Sequence, residues 1–161
     1  MRRIPSLTLL LLVVAAAGVA AAASKPALSI DEAKRVAAAA VAEARRVGAP
    51  SGAIAVVDDG GHLLYLERLD GTFPAASVVA TEKARTAAVF RRETREFESA
   101  VNGGRVAFLG NQAATPLQGG VPLRLDGQVV GAIGVSGAAS AQQDSELAAA
   151  GAAALAREEE N

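Results

Sequence analysis

The chain has 161 residues, 51% hydrophobic, 20% charged and 3% aromatic, with a formal net charge of −1 and no cysteine. This length is one domain's worth, with enough apolar material to exclude a disordered chain. The missing thiol excludes disulfides, thiolate metal or haem ligation, iron–sulfur clusters and cysteine nucleophiles, and the balanced charge gives no electrostatic pull toward nucleic acid.

Arg2 and Arg3 precede an apolar run from Leu7 to Ala17, which continues in small residues to Ala23. A basic start, an apolar stretch and an Ala-x-Ala end have the layout of a secretory leader, cleaved after Ala21-Ala22-Ala23. The run is near the short limit for spanning a bilayer and no strongly basic stop follows it. The expectation is a periplasmic or secreted protein, residues 24–161, with no stable membrane insertion after cleavage. Cleavage removes two arginines and takes the net charge to −3.

Ser29-Ile30-Asp31-Glu32 has the form of a capping box. Ala33, Val36, Ala37, Ala40, Val41 and Ala44 follow at helical spacing as a narrow stripe suited to close packing, and Gly48 and Pro50 end it. Ala53–Val57 and His62–Arg68 flank the turn cluster Asp58-Asp59-Gly60-Gly61, which predicts an antiparallel hairpin. Pro74 suits the first turn of a helix carrying Val78, Val79, Glu82, Arg85, Thr86 and Phe90. Thr94 suits the cap of a shorter helix through Val101, ended by Asn102-Gly103-Gly104. Val106–Pro116 reads as mostly loop, with a short strand near Val106–Leu109. Gly120–Leu125 and Gln128–Ser136 flank Asp126-Gly127 as a second hairpin. Ser140, or Asp144, caps a terminal helix to about Arg157, and Glu158–Glu160 reads as a solvated tail. The order predicts an α+β fold, an antiparallel sheet with helices on one or both faces.

Gly131-Ala132-Ile133-Gly134-Val135-Ser136-Gly137 invites a phosphate-loop reading. Its spacing differs from the dinucleotide fingerprint, and its glycines lie within a hairpin strand, where glycine marks close backbone approach. Ser136 lacks the strand-to-helix elbow of a serine hydrolase. His62 is the only histidine, so one chain cannot build a multi-histidine zinc site. It is either a solvent-facing turn residue or a metal or haem-iron ligand.

Lys83, Arg85, Arg91, Arg92 and Arg95 stand against one acid, Glu93, within residues 83–95. They suit carboxylates such as haem propionates, or serve a helix C-terminus. The aromatics Tyr65, Phe73, Phe90, Phe97 and Phe108 interleave with this segment, as core or as the bed of a flat ligand.

Val57-Asp58-Asp59-Gly60-Gly61-His62-Leu63, Arg68-Leu69-Asp70-Gly71, Glu82-Lys83-Ala84-Arg85-Thr86-Ala87, Gly119-Gly120-Val121-Pro122 and Gly127–Gly137 occur in this order. With them the chain resembles the GlcG/HbpS-type haem-binding family, also called the haem-degrading domain and found as the C-terminal part of PduO-type proteins. The resemblance runs from about Leu28 to Leu155. It implies a profilin-like sandwich, a homo-oligomer (often an octamer), and haem or a related tetrapyrrole as ligand in some members. It links the secreted branch with haem binding, iron-dependent redox sensing and haem breakdown. A weak oxygen ligand such as a threonine is also implied, with Thr86 and Thr94 as candidates. The expected haem site therefore comprises His62 as the metal ligand with Lys83, Arg85, Thr86, Phe90, Arg91 and Thr94. An enzyme acting on haem or a small carboxylate, and a non-catalytic oligomeric module, are the competing readings.

Overall fold

The computed structural model describes residues 25–156; the expected leader and the expected solvated tail lie outside them. Helix α1 (Ile30–Arg46) is followed by strands β1 (Ala53–Asp58) and β2 (Leu63–Arg68), helices α2 (Ala76–Phe90) and α3 (Thr94–Asn102), a 3-10 turn (Val106–Gly110), strands β3 (Gly120–Leu125) and β4 (Gln128–Ser136), and helix α4 (Ala141–Ala156). The fold is α+β. Its four strands run in the order β2-β1-β4-β3, each antiparallel to its neighbours. The central strands β1 and β4 are buried along nearly their whole length, which is why they read as continuous apolar runs.

Alternation across β1 separates two cores. Ile54 and Val56 face α1 and α4, joined by Leu123, Ile133, Val135 and Leu147. Ala53, Ala55 and Val57 face α2, whose buried stripe is Ala76, Ala80, Ala84, Ala87 and Ala88. The first core holds large side chains, each contributing about 1.5–3 kcal/mol on burial. The second holds almost only alanine, so α2 rides close to the sheet. Gly134 makes this approach necessary: a Cβ there would stand 2.1 Å from the Ala80 carbonyl oxygen and 2.6 Å from the Ala84 nitrogen. The strand glycines thus serve packing, as their place in a hairpin predicts.

Local signals act as read at most element ends. The Ser29–Glu32 capping box forms in both directions. Asp126 and Gly127 both take positive φ (46° and 73°), as a tight primed turn demands. Ser140 Oγ accepts from the Gln143 N–H, while Asp144 caps nothing and turns inward. Three local expectations are corrected. Val106–Gly110 is a 3-10 turn rather than a strand, because Val106 and Leu109 are exposed and no strand lies beside them. Thr94 opens α3 without capping it: its hydroxyl accepts from the Gly120 N–H instead. Pro74 lies just ahead of α2, whose N-cap is Ala75. Among the described residues, no helix is long and apolar enough to cross a membrane.

Candidate functional site

The turn between β1 and β2 is built on one side chain. Asp58 Oδ1 accepts from the Gly60 N–H at 2.9 Å and the His62 N–H at 2.8 Å, and the Asp58 carbonyl accepts from the Gly61 N–H at 3.0 Å. Such self-bonding is the reason aspartate starts turns. His62 Nδ1 lies 3.2 and 3.1 Å from the two carboxylate oxygens. Partial burial pulls the Asp58 carboxyl upward, but the bonds from His62 and Gly60 outweigh it and hold the group below its ordinary range. The His62 side chain is otherwise open, 82% exposed.

This turn presses on α2. Gly61 takes φ +84°, and a Cβ there would stand 2.7 Å from Arg85 Cγ and 3.3 Å from Val89 Cγ1. Gly61 is thereby set against the outer stripe of α2, where Val78, Thr81, Glu82, Arg85 and Val89 recur at helical spacing. Leu63 and Leu66 stand beside that stripe, because they pair with Val57 and Ala55, which face α2. Leu63, Leu66, Val78 and Val89 are all exposed, Val78 by 66%. A cleft of about 230 Å³ runs between Leu66 and Ser77, Val78, Thr81 and Glu82. The result is an apolar shelf that ends at the Arg85 guanidinium and at the turn that carries His62. Arg85 is half exposed and lies 3.7 Å from Glu82.

The basic segment does not act as one surface. Lys83 is buried inside the alanine stripe, donating to Asp144 Oδ2 at 2.8 Å and to the Val135 carbonyl at 2.9 Å. Thr86 is buried, donating to the Glu82 carbonyl and accepting from the Thr115 N–H. Thr94 is buried against Gly120. These three side chains are therefore spent on the fold. Arg91 is exposed in the left-handed conformation that ends α2 (φ 57°), and its carbonyl accepts from Arg124. Arg92 pairs with Glu96, and Arg95 with Glu93.

Phe90 belongs to a separate cluster, stacked edge-on with Phe97 at 5.2 Å, and Phe97 in turn with Phe108 at 5.4 Å. Arg92 lies over Phe97 and Arg105 over Phe108. The adjoining cleft is only about 80 Å³. Of the expected site residues, the structure sets Arg85 against Gly61, the residue before His62, and places Phe90 apart. The shelf residues Leu63, Val78 and Val89, and Asp58 as partner of His62, were not singled out by sequence reasoning. The signals were a carboxylate four residues before the only histidine and aliphatic positions eleven apart on a helix otherwise lined with alanine. No group of three or more His, Asp or Glu side chains able to hold a bare metal ion occurs among the described residues.

Comparison with known proteins places this geometry. Residues 28–153 match the family model described as haem degrading protein HbpS-like. Protein GlcG of Escherichia coli K12 is 50% identical over 113 residues, covering 70% of this chain and 84% of GlcG. The crystal structure of a double mutant of Streptomyces reticuli HbpS superposes with a TM-score of 0.76 at 34% identity, over 88% of this chain and 95% of that one. That of a PduOC–haem complex gives 0.71 at 27% identity, over 80% and 95%. The four-stranded antiparallel sheet with its flanking helices and the ordered segments from Leu28 onward thus have one explanation: this chain belongs to the HbpS-like family.

Proposed function

We propose that this protein binds haem on the outer face of α2, as an exported homo-oligomer. The observation that carries the reading is the open apolar shelf of Leu63, Leu66, Val78 and Val89, which ends at Arg85 where Gly61 seats the turn that carries the exposed His62. The match to a haem-degrading family and the likeness to a PduOC–haem complex support the choice of ligand. The Arg2-Arg3 start and Ala-x-Ala end of the leader support export.

The residues fit such a group. Leu63, Leu66, Val78 and Val89 offer an apolar bed for a macrocycle, His62 Nε2 an axial donor, and Arg85 and Arg91 cations for propionates. A single imidazole suits an iron that arrives with four nitrogens of its own. The 230 Å³ cleft is smaller than the roughly 300–1,000 Å³ that encloses a drug-sized ligand. Haem would therefore lie along the shelf rather than inside a closed pocket, and a second subunit would cover it. Bound there, it supplies a redox-active iron. The family description favours haem breakdown as a second reading.

Titration of the purified protein with hemin tests the first reading. A saturable Soret shift is expected, changed in position by His62→Ala. The absence of saturation overturns it. Turnover of the bound haem with hydrogen peroxide and a reductant, beyond the free-hemin background, tests the second. Size-exclusion chromatography reads the assembly, and N-terminal sequencing of the exported protein reads cleavage after Ala23.

A further inference from the structure

The turn Asp58–His62 carries more order than a hairpin connection requires. Both carboxylate oxygens of Asp58 stand within 3.2 Å of His62 Nδ1, while Oδ1 also receives two backbone N–H groups of the same turn. An ionised carboxylate only accepts hydrogen bonds, so the nitrogen facing it must carry the proton. The neighbouring groups do not compete for the ring. Asp59 is paired with Lys25, and Arg85 with Glu82. Nε2 receives no hydrogen bond among the described residues. Gly60 and Gly61 make the arrangement compact: a Cβ at Gly60 would stand 2.8 Å from the imidazole Cε1, and one at Gly61 would push the turn off α2.

We infer that Asp58 is a positioning residue that holds His62 as its Nδ1–H tautomer, leaving the Nε2 lone pair on an exposed side chain and available to a ligand. Free histidine side chains favour the opposite tautomer, so this one is imposed by the fold. The carboxylate–imidazole pairing is the one that orients metal-binding histidines and raises their basicity. The use of Nε2 toward haem iron rests on the reading above; the tautomer does not.

Because His62 is the only histidine, nitrogen-15 NMR of the untagged full chain reports it without assignment. At about pH 8.5, above the ordinary imidazole pKa of about 6.5, a pyrrole-type Nδ1 and a pyridine-type Nε2 are expected. Asp58→Asn keeps an oxygen for the backbone N–H groups but presents an NH₂ to Nδ1, so it should flip the ring to the Nε2–H form. It should also weaken hemin binding roughly 10–100-fold, the usual cost of losing such a partner. A wild-type ring already protonated at Nε2 overturns the inference, and this needs no variant to fold. A flipped tautomer with unchanged hemin affinity overturns the positioning role. A wild-type protein with the expected tautomer that takes up no hemin supports the assignment and sinks the haem reading alone.

Discussion

Lys83 Nζ lies 2.8 Å from Asp144 Oδ2, with the two side chains only 4% and 8% exposed. The second Asp144 oxygen accepts from the Ala138 N–H, and Lys83 also donates to the Val135 carbonyl. The pair therefore ties α2, on one face of the sheet, to α4, on the other, through the end of β4. A charge in such a place is tolerable only with its partner present.

The first prediction follows from that dependence. Asp144→Ala leaves the Lys83 ammonium buried and unpaired, and should cost about 3–5 kcal/mol. Lys83→Met should cost a similar amount by stranding the carboxylate. Combining Lys83→Met with Asp144→Leu removes both charges and should recover most of the loss, leaving about 1 kcal/mol for the bond from Ala138. Urea unfolding of the three variants checks this. Additive costs in the double variant would show that the pair is not coupled.

A second prediction concerns two glycines of one hairpin. At Gly134 an alanine methyl would stand 2.1 Å from a backbone oxygen of α2, which cannot yield without lifting the helix. At Gly127 nothing lies within 4 Å, and only the φ of +73° opposes a side chain. Gly127→Ala should thus cost about 1–2 kcal/mol, the left-handed penalty. Gly134→Ala should cost at least the roughly 1–3 kcal/mol of an overpacked core and shift the amide resonances of Ala80 and Ala84. Equal melting temperatures for the two variants would contradict the packing described.

Much of this was legible in the chain, for a physical reason: turn and cap chemistry is local. Asp126-Gly127 and Ser29–Glu32 specify their geometry with residues a few positions apart, so both hairpins and α1 read correctly. The side of an element that a cation occupies depends on what packs against it. Lys83 looks like one of five surface charges, yet it falls in the stripe of Ala76, Ala80, Ala84 and Ala87, and its partner is 61 residues away. Thr86 and Thr94 are hidden for the same reason, their hydroxyls held by backbone of a distant loop and strand. The shelf was missed because exposed Val78 and Val89 have the composition of core residues.

The start of α1 gives a pH prediction. Glu32 receives hydrogen bonds from the Ser29 hydroxyl and backbone N–H, both at 2.6 Å, and these lower its pKa below the ordinary glutamate value. A carboxyl that is more acidic when folded contributes its full stabilisation above its unfolded pKa and loses it as pH falls through the folded one. Ser29→Ala should cost about 0.5–2 kcal/mol near neutrality. The gap between the two proteins should narrow on acidification below about pH 4.3, the ordinary glutamate value. Thermal melts of both across pH 3–7 measure it, and a gap that widens in acid would refute the sign.

The last prediction separates two places offered to a flat ligand by the aromatic and apolar residues around α2. The shelf beside α2 is apolar, open and ends at the turn that carries His62, whereas the Phe90–Phe97–Phe108 cluster is closed on itself, with guanidinium groups over two rings and a cleft of only about 80 Å³. Burying a macrocycle face on the shelf gains about 25 cal/mol for each Å² removed from water, and an introduced carboxylate there must be desolvated beside it. Val78→Asp, at a site already 66% exposed, should therefore leave the melting temperature within a few degrees and weaken hemin uptake at least tenfold. Arg105→Ala, over Phe108, should leave uptake unchanged. The reverse ranking would move the ligand to the aromatic cluster and strip the α2 face of its proposed role, while equal weakening by both would point to general loss of the fold, which the melts of the same samples detect.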